Sequence, residues 1–167
     1  VRKLPFLEGI ELKKFMLRQV GLTDMFKNER LASADLIVMG THGAKGVKNL
    51  VGSNTQKIVR SAPMPVLVTK NPIEDLNIRD VVYASNFTSS DIEKFDAFRP
   101  FLDIFDPNVH LLKVNTPRSF ERSEDSNRAI DGFLQRHSLS KFTATIYNDL
   151  SIEEGILNFT RGIDADM

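Results

Sequence analysis

A chain of 167 residues, 41% hydrophobic and 26% charged, can bury one good core or two small ones. Lys+Arg and Asp+Glu both number 22, so the basic excess of a protein that wraps nucleic acid is missing, and nucleic acid is not an expected partner. The absence of cysteine excludes disulfides, thiolate nucleophiles and cysteine-held zinc together. No apolar run approaches the roughly 18 residues of a membrane helix, and no secretory signal is legible, so the expected setting is cytoplasmic, with no membrane.

In chain order, residues 1–30 are the hardest to place; Val1 to Leu7 is compatible with a strand and Ile10 to Gln19 with a helix. Leu36-Ile37-Val38-Met39 is a fully apolar run that stops at Gly40. Such a run suits a strand of a parallel sheet covered on both faces. Thr55 to Ser61 reads as a short helix with Ile58 and Val59 inward. Val66-Leu67-Val68-Thr69, after Pro63 and Pro65, is the next strand. Strand, loop, helix and strand make one βαβ unit.

Residues 71–79 read as a linker, after which a new α/β pattern starts. Val81 to Ala84 is a strand, and Ser90-Asp91-Ile92-Glu93 has the spacing of a capping box that opens a helix. Ile92, Phe95, Phe98, Leu102 and Phe105 then form one apolar stripe, and Pro100 should kink or shorten that helix. The phenylalanines are expected in the core. Val109 to Val114 is a strand, residues 124–137 a helix, and Phe142 to Tyr147 a third strand. Ser151-Ile152-Glu153-Glu154 is a second capping box, opening a helix toward Gly162.

Ala165-Asp166-Met167 nearly repeats Ala34-Asp35-Leu36. Placing Asp35 on Asp166 aligns Met25-Phe26 with Ile156-Leu157 and Arg30 with Arg161. The chain then stops where the next core strand should begin. It reads as a fragment, with residues 1–70 the back half of one repeat and residues 80–167 the front half of the next.

The stretch Met39-Gly40-Thr41-His42-Gly43-Ala44-Lys45-Gly46, continuing to Val51-Gly52-Ser53-Asn54-Thr55, carries the candidate chemistry. A chain leaving a parallel strand and entering a helix presents free backbone N–H groups and the positive end of the helix dipole. These bind phosphate without a basic side chain. Glycine lets the backbone come close to a ligand, and Ser53 and Thr55 add hydroxyls, Ser53 also as a helix cap. From the glycines alone, a capped strand-to-helix loop without ligand is an equal alternative. Lys45 and Lys48 could reach a phosphate, although solvated lysines are the commoner outcome.

These residues resemble the universal stress protein family, whose pattern is Gly-x-x-Gly, nine residues, then Gly-Ser or Gly-Thr, after a strand such as Asp-Leu-Ile-Val-Met. Here the chain reads Asp35-Leu36-Ile37-Val38-Met39-Gly40-Thr41-His42-Gly43 and then Gly52-Ser53, with Ala62-Pro63-Met64-Pro65-Val66-Leu67-Val68 like the family's closing strand. Residues 80–167 resemble the family's opening half in element order and in Ala84-Ser85-Asn86-Phe87-Thr88. Two departures stand out. Eight residues separate Gly43 from Gly52, and Asn86 takes the place of an aspartate that contacts the nucleoside. An amide still hydrogen-bonds but lacks the charge-assisted bond of a carboxylate.

The resemblance implies a doubly wound α/β fold with a parallel, Rossmann-like sheet, assembled here from two half-repeats. In the family the strand order is 3-2-1-4-5, and the nine residues 71–79, spanning roughly 30 Å when extended, could close the halves into one permuted sheet, within a chain or by swapping. It also implies an adenine-nucleotide site, with ATP as cofactor, with or without Mg. Met39, Gly40, His42 and Gly43 would lie near ribose and phosphates, Gly52, Ser53, Asn54 and Thr55 would cradle the phosphate tail, and Asn86 would face the nucleoside. The implied role is regulatory, in stress response, with a homodimer or a pseudo-dimer of repeats.

Other chemistry is poorly supported. His110 and His137 have no metal-ligand spacing, Glu124-Asp125 and Glu153-Glu154 are helix-start acids, and Ser89-Ser90 suits a cap rather than a nucleophile. No Walker lysine-hydroxyl pair or placed carboxylate pair serves phosphoryl transfer, so at most slow ATP hydrolysis is expected and no catalytic residue is assigned. The Ser-Gly-Gly loop and His-x-Gly-His motif of related pyrophosphatases and nucleotidyl transferases are missing. An interaction module that dimerises without nucleotide is the alternative.

Overall fold

A computed structural model describes residues 21, 24–40, 53–69 and 77–167. The expected strand at 1–7 and helix at 10–19 lie outside these residues. The chain divides into two compact units, residues 1–72 and 73–167.

In the first unit a 3-10 turn, Asp24–Lys27, leads to a one-turn helix α1, Glu29–Ala32, and then to strand β1, Ile37–Gly40. Helix α2, Ser53–Ser61, and strand β2, Val66–Thr69, follow. β1 and β2 pair in parallel, with Ile37 opposite Val66 and Gly40 opposite Thr69. The rigid backbone of Pro65 serves this register, since its carbonyl accepts from Ile37 N at 3.0 Å. Two expectations change here. The inward residues of α2 are Thr55 and Ile58, one turn apart, whereas Val59 is 49% exposed. β1 is not covered on both faces, because Val38 is 60% exposed while Ile37 and Met39 are half-buried.

The second unit is built from β3, Asp80–Ala84; α3, Ser89–Phe105; β4, Asn108–Asn115; α4, Ser123–Arg136; β5, Phe142–Asn148; and α5, Ile152–Gly162. Its sheet has the order β3-β4-β5, all parallel, with Asp80 opposite Asn108 and Val109 opposite Phe142. Parallel neighbours require crossovers, and the helices supply them. Successive side chains of β4 point to opposite faces. Val109 and Leu111 join Phe87, Phe95, Leu102, Ile130 and Phe133 in one core beneath α3 and α4. Leu112 and Val114 face the other way, where a Cβ on Gly155 of α5 would stand 2.5 Å from Val114 Cγ1. Helices therefore lie on both faces, the doubly wound α/β pattern. Aromatic rings fix the first core: Phe95 meets Phe133 edge-on at 4.9 Å, and Tyr83 lies 4.9 Å from Phe95.

Among the described residues the strands pair as β1-β2 in the first unit and β3-β4-β5 in the second. On the side of β3 away from β4, Val82 N donates to Met167 O at 2.6 Å and Asp166 N donates to Asp80 O at 2.9 Å. The Asp166 carboxylate also accepts from the backbone N–H groups of Arg79 and Asp80, at 2.8 and 3.0 Å. The tripeptide that mirrors Ala34-Asp35-Leu36 is thus laid along that edge.

Further differences are local. The box that opens α3 is formed by Thr88 and Asp91 rather than Ser90 and Glu93. Ser151 does cap α5 as expected, its Oγ accepting from Glu154 N at 3.2 Å. Pro100 neither ends nor shortens α3, which runs on to Phe105. Both Pro100 and Asp96, whose carbonyl loses its donor, are exposed, so water can take the vacant bond. Phe120 and Phe142 are not core; they are 73% and 44% exposed.

Candidate functional site

The expected nucleotide residues divide between the two units. In the first, Met39 and Gly40 end β1, Met39 half-buried and Gly40 exposed. Ser53 and Asn54 are exposed in the opening turn of α2, while Thr55 in that turn is only 5% exposed. A parallel strand and the amino end of a helix therefore bracket the glycine-rich stretch, the arrangement that suits phosphate. His42, Gly43 and Gly52 lie outside the described residues, as do Lys45 and Lys48.

Asn86 belongs to the second unit. It is exposed where the chain leaves β3, and it lines a recess of about 160 Å³ with Ala84, Ser85, Leu112, Val114, Ile152 and Ile156. The turn that presents it is strained. Phe87, next in the chain, holds a left-handed backbone at φ 57°, a conformation a bulky side chain rarely adopts. Burial of its ring, 5.2 Å from Phe133, and a 2.8 Å bond from its N–H to Ser85 Oγ hold it there. Ser85 Oγ donates in turn to Asp91 Oδ2 at 3.0 Å, an atom that also accepts from Thr88 N at 3.1 Å and Thr88 Oγ1 at 3.0 Å. Burial pushes the Asp91 carboxyl up, but the bonds from Thr88, Ser85 and Lys94 outweigh it and hold the group below the usual carboxylate range. Asp91 thus positions the turn that displays Asn86. The amide stands beside an apolar floor and can hydrogen-bond a ligand hydroxyl or amine.

His110 and His137 hold structural positions. His110 Nε2 lies 3.0 Å from Asp80 Oδ1 and Nδ1 lies 2.8 Å from Thr143 Oγ1, so one ring clips three strands. The His110 bond, followed by that of Asn108, lowers the Asp80 carboxyl below its ordinary value. His137 is 1% exposed, packs on Phe95 and Phe133, and lies 3.3 Å from Asp96. Among the described residues no three His, Asp or Glu side chains gather as metal ligands.

One polar cluster was not anticipated. Lys113 is buried in β4, and its ammonium lies 2.5 Å from Glu121 Oε2, which Ser126 Oγ approaches at 3.5 Å. Asn115 Nδ2 donates to Glu121 O at 3.3 Å. A lysine between Leu112 and Val114 in the strand run Val109-His110-Leu111-Leu112-Lys113-Val114 was the available signal.

Residues 29–70, from α1 through β2, match the profile of the universal stress protein family. The likeness to that family rests on this segment of the chain. Over 73 residues it is 36% identical to the universal stress protein MJ0531 of Methanocaldococcus jannaschii, an alignment covering 43% of each chain. It therefore spans less than half the length of that relative. The solved structure of a universal stress protein in complex with cAMP shares 11% identity, with a TM-score of 0.41, over 55% of this chain and 74% of that one.

Proposed function

We propose that this chain is a nucleotide-binding module of universal stress protein type, with an adenine nucleotide, ATP in the first instance, as ligand and a regulatory role in stress response. The observation that carries this reading is the family match over 29–70, which encloses the glycine-rich stretch between the carboxyl end of β1 and the opening turn of α2. In this reading the backbone N–H groups after Met39 and around Gly52 take the phosphates, and Ser53 and Asn54 add exposed polar side chains. His42 and Gly43 border the ribose and phosphates, Thr55 supports the helix start from inside, and Asn86 offers its amide to the nucleoside. Magnesium accompanies ATP as its usual counter-ion. Isothermal titration of the chain with ATP and magnesium, with Gly43→Val and Gly52→Val in parallel, tests it. Saturable heat in the native chain, weakened at least about tenfold by either substitution, is expected. Heat untouched by both would remove the stretch from the site.

A second reading is an interaction module of the same family that dimerises without nucleotide. Asn86 in place of an acid, the shorter loop, and the exposure of Leu36, just before β1, and Val38 within it, at 44% and 60%, favour it. Within it, the half-repeats at 1–70 and 80–167 complete each other between copies, with 71–79 as the connecting segment. Light scattering with and without ATP separates the two: a dimer in a chain that gives no heat with ATP supports the second.

A further inference from the structure

A cleft of about 470 Å³ opens where β4 and β5 end, lined by Asn115, Thr116, Pro117, Phe120, Asn148, Asp149 and Leu150. We propose that this cleft binds a flat heteroaromatic ligand, uncharged or cationic, that donates N–H hydrogen bonds and lies between Phe120 and Leu150. It is distinct from the Asn86 recess, with which it shares no described lining residue.

The volume falls in the range of small-ligand sites, about 300 to 1,000 Å³. The position, at the carboxyl ends of parallel strands, is where open α/β sheets place ligands. Phe120 and Leu150 are 73% and 79% exposed, and both border the same cavity. Phe120 is not on a loose tip, because the residues on either side of it are anchored. Ser119 N donates to Thr116 O at 3.1 Å and their hydroxyls meet at 2.8 Å, while Glu121 is tied to Lys113 and Asn115. The ring is held out over the cavity by a fixed loop.

The polar lining selects the ligand's chemistry. Asn115 is 4% exposed, its Nδ2 is engaged by Glu121 O, and its Oδ1 has no donor among the described residues. A buried acceptor of this kind calls for a donor from outside the protein. Asp149 is the one charged lining residue among those described; its oxygens accept from Leu150 N at 2.7 Å and Asn158 Nδ2 at 2.9 Å and retain further lone pairs. Among the described residues no lysine or arginine lines the cleft, and the buried cation nearest in sequence, Lys113, is neutralised by Glu121. Acceptors without a cation disfavour a phosphate and favour an N–H-bearing ring, the reverse of the chemistry around Gly40 and Ser53.

The test is a titration of the ¹⁵N-labelled full chain with three probes: 2-aminobenzimidazole, 1-methylbenzimidazole, which has no N–H donor, and 2-naphthoate, which is planar and anionic. The amine should shift the amides of residues 115–121 and 148–151 and leave those of β1 and α2 in place. 1-Methylbenzimidazole should bind at least about fivefold more weakly, the worth of one hydrogen bond, and 2-naphthoate more weakly still. Phe120→Ser and Leu150→Ser, at exposed positions that spare the core, should each weaken the amine at least about fivefold. Unmoved cleft amides at millimolar amine, native affinity in both serine variants, or naphthoate binding as tightly as the amine would each overturn the proposal.

Discussion

Two glycines inside helices should respond in opposite ways to the same methyl group. In a helix interior, Gly→Ala normally gains about 1 kcal/mol through reduced backbone freedom in the unfolded chain. Gly132 in α4 is exposed, and a Cβ there meets nothing within 4 Å, so Gly132→Ala should deliver that gain. At Gly155 in α5 the same Cβ would stand 2.5 Å from Val114 Cγ1, 3.1 Å from Val114 Cγ2 and 3.2 Å from Asp149 Cβ. Val114 is β-branched, 8% exposed and set in the central strand, so it has no free rotamer into which to retreat. Overpacking of this kind costs about 1 to 3 kcal/mol. The propensity gain offsets part of it, leaving Gly155→Ala about 1 kcal/mol less stable than the native chain. The assay is urea unfolding followed by tyrosine fluorescence; the chain has no tryptophan, and both its tyrosines, Tyr83 and Tyr147, lie in the unit being tested. Adding Val114→Ala removes the clashing carbons, so the double-mutant cycle should return a favourable coupling of about 1 kcal/mol or more. If Gly155→Ala stabilises as much as Gly132→Ala, the packing argument for α5 against β4 is wrong.

Two other perturbations follow from the polar groups. The folded-state carboxyl of Asp91 sits below its ordinary value, so its stabilisation is present above about pH 4 and is lost as pH falls through the folded value. Asp91→Asn should therefore cost about 1 kcal/mol at pH 7 and progressively less in acid, read from urea midpoints across pH; a constant difference would refute the assignment. Glu121→Ala should cost about 3 kcal/mol by leaving the Lys113 ammonium buried and unpaired, whereas Lys113→Met should cost clearly less because it removes the charge and keeps the stem. The opposite order of urea midpoints would show that the lysine is not buried as charge.

What was legible in the sequence was what local pattern encodes. The apolar run Val66 to Thr69 matches β2 at both ends, and the stretch 124–137 differs from α4 by one residue at each end. Where two local readings compete, pattern alone does not choose. Thr88-Ser89-Ser90-Asp91 and Ser90-Asp91-Ile92-Glu93 both have box spacing, and the strained turn at Phe87, which ties Ser85 to Asp91, selects the first. Pro100 does not shorten α3, because a proline on a solvated helix face leaves its orphaned carbonyl to water. The position of Asn86 at the end of β3 was readable, but the backbone strain that displays it was not. The cleft beneath Phe120 was invisible for another reason: it exists because the β4–β5 register sets Asn115 beside Asn148, which brings together two loop tips far apart in the chain.

The all-parallel order of the second unit also governs how it can form. No pair of its strands can zip up as a hairpin, since partners such as Asp80 and Asn108, or His110 and Thr143, stand 28 and 33 residues apart. Each pairing must wait for a helical crossover to be in place, so loop-closure entropy is spent before any ladder bond returns it. Collapse should therefore be slow for the unit's size, and β4, which is needed by both ladders, is the piece whose late arrival leaves the most sticky surface bare.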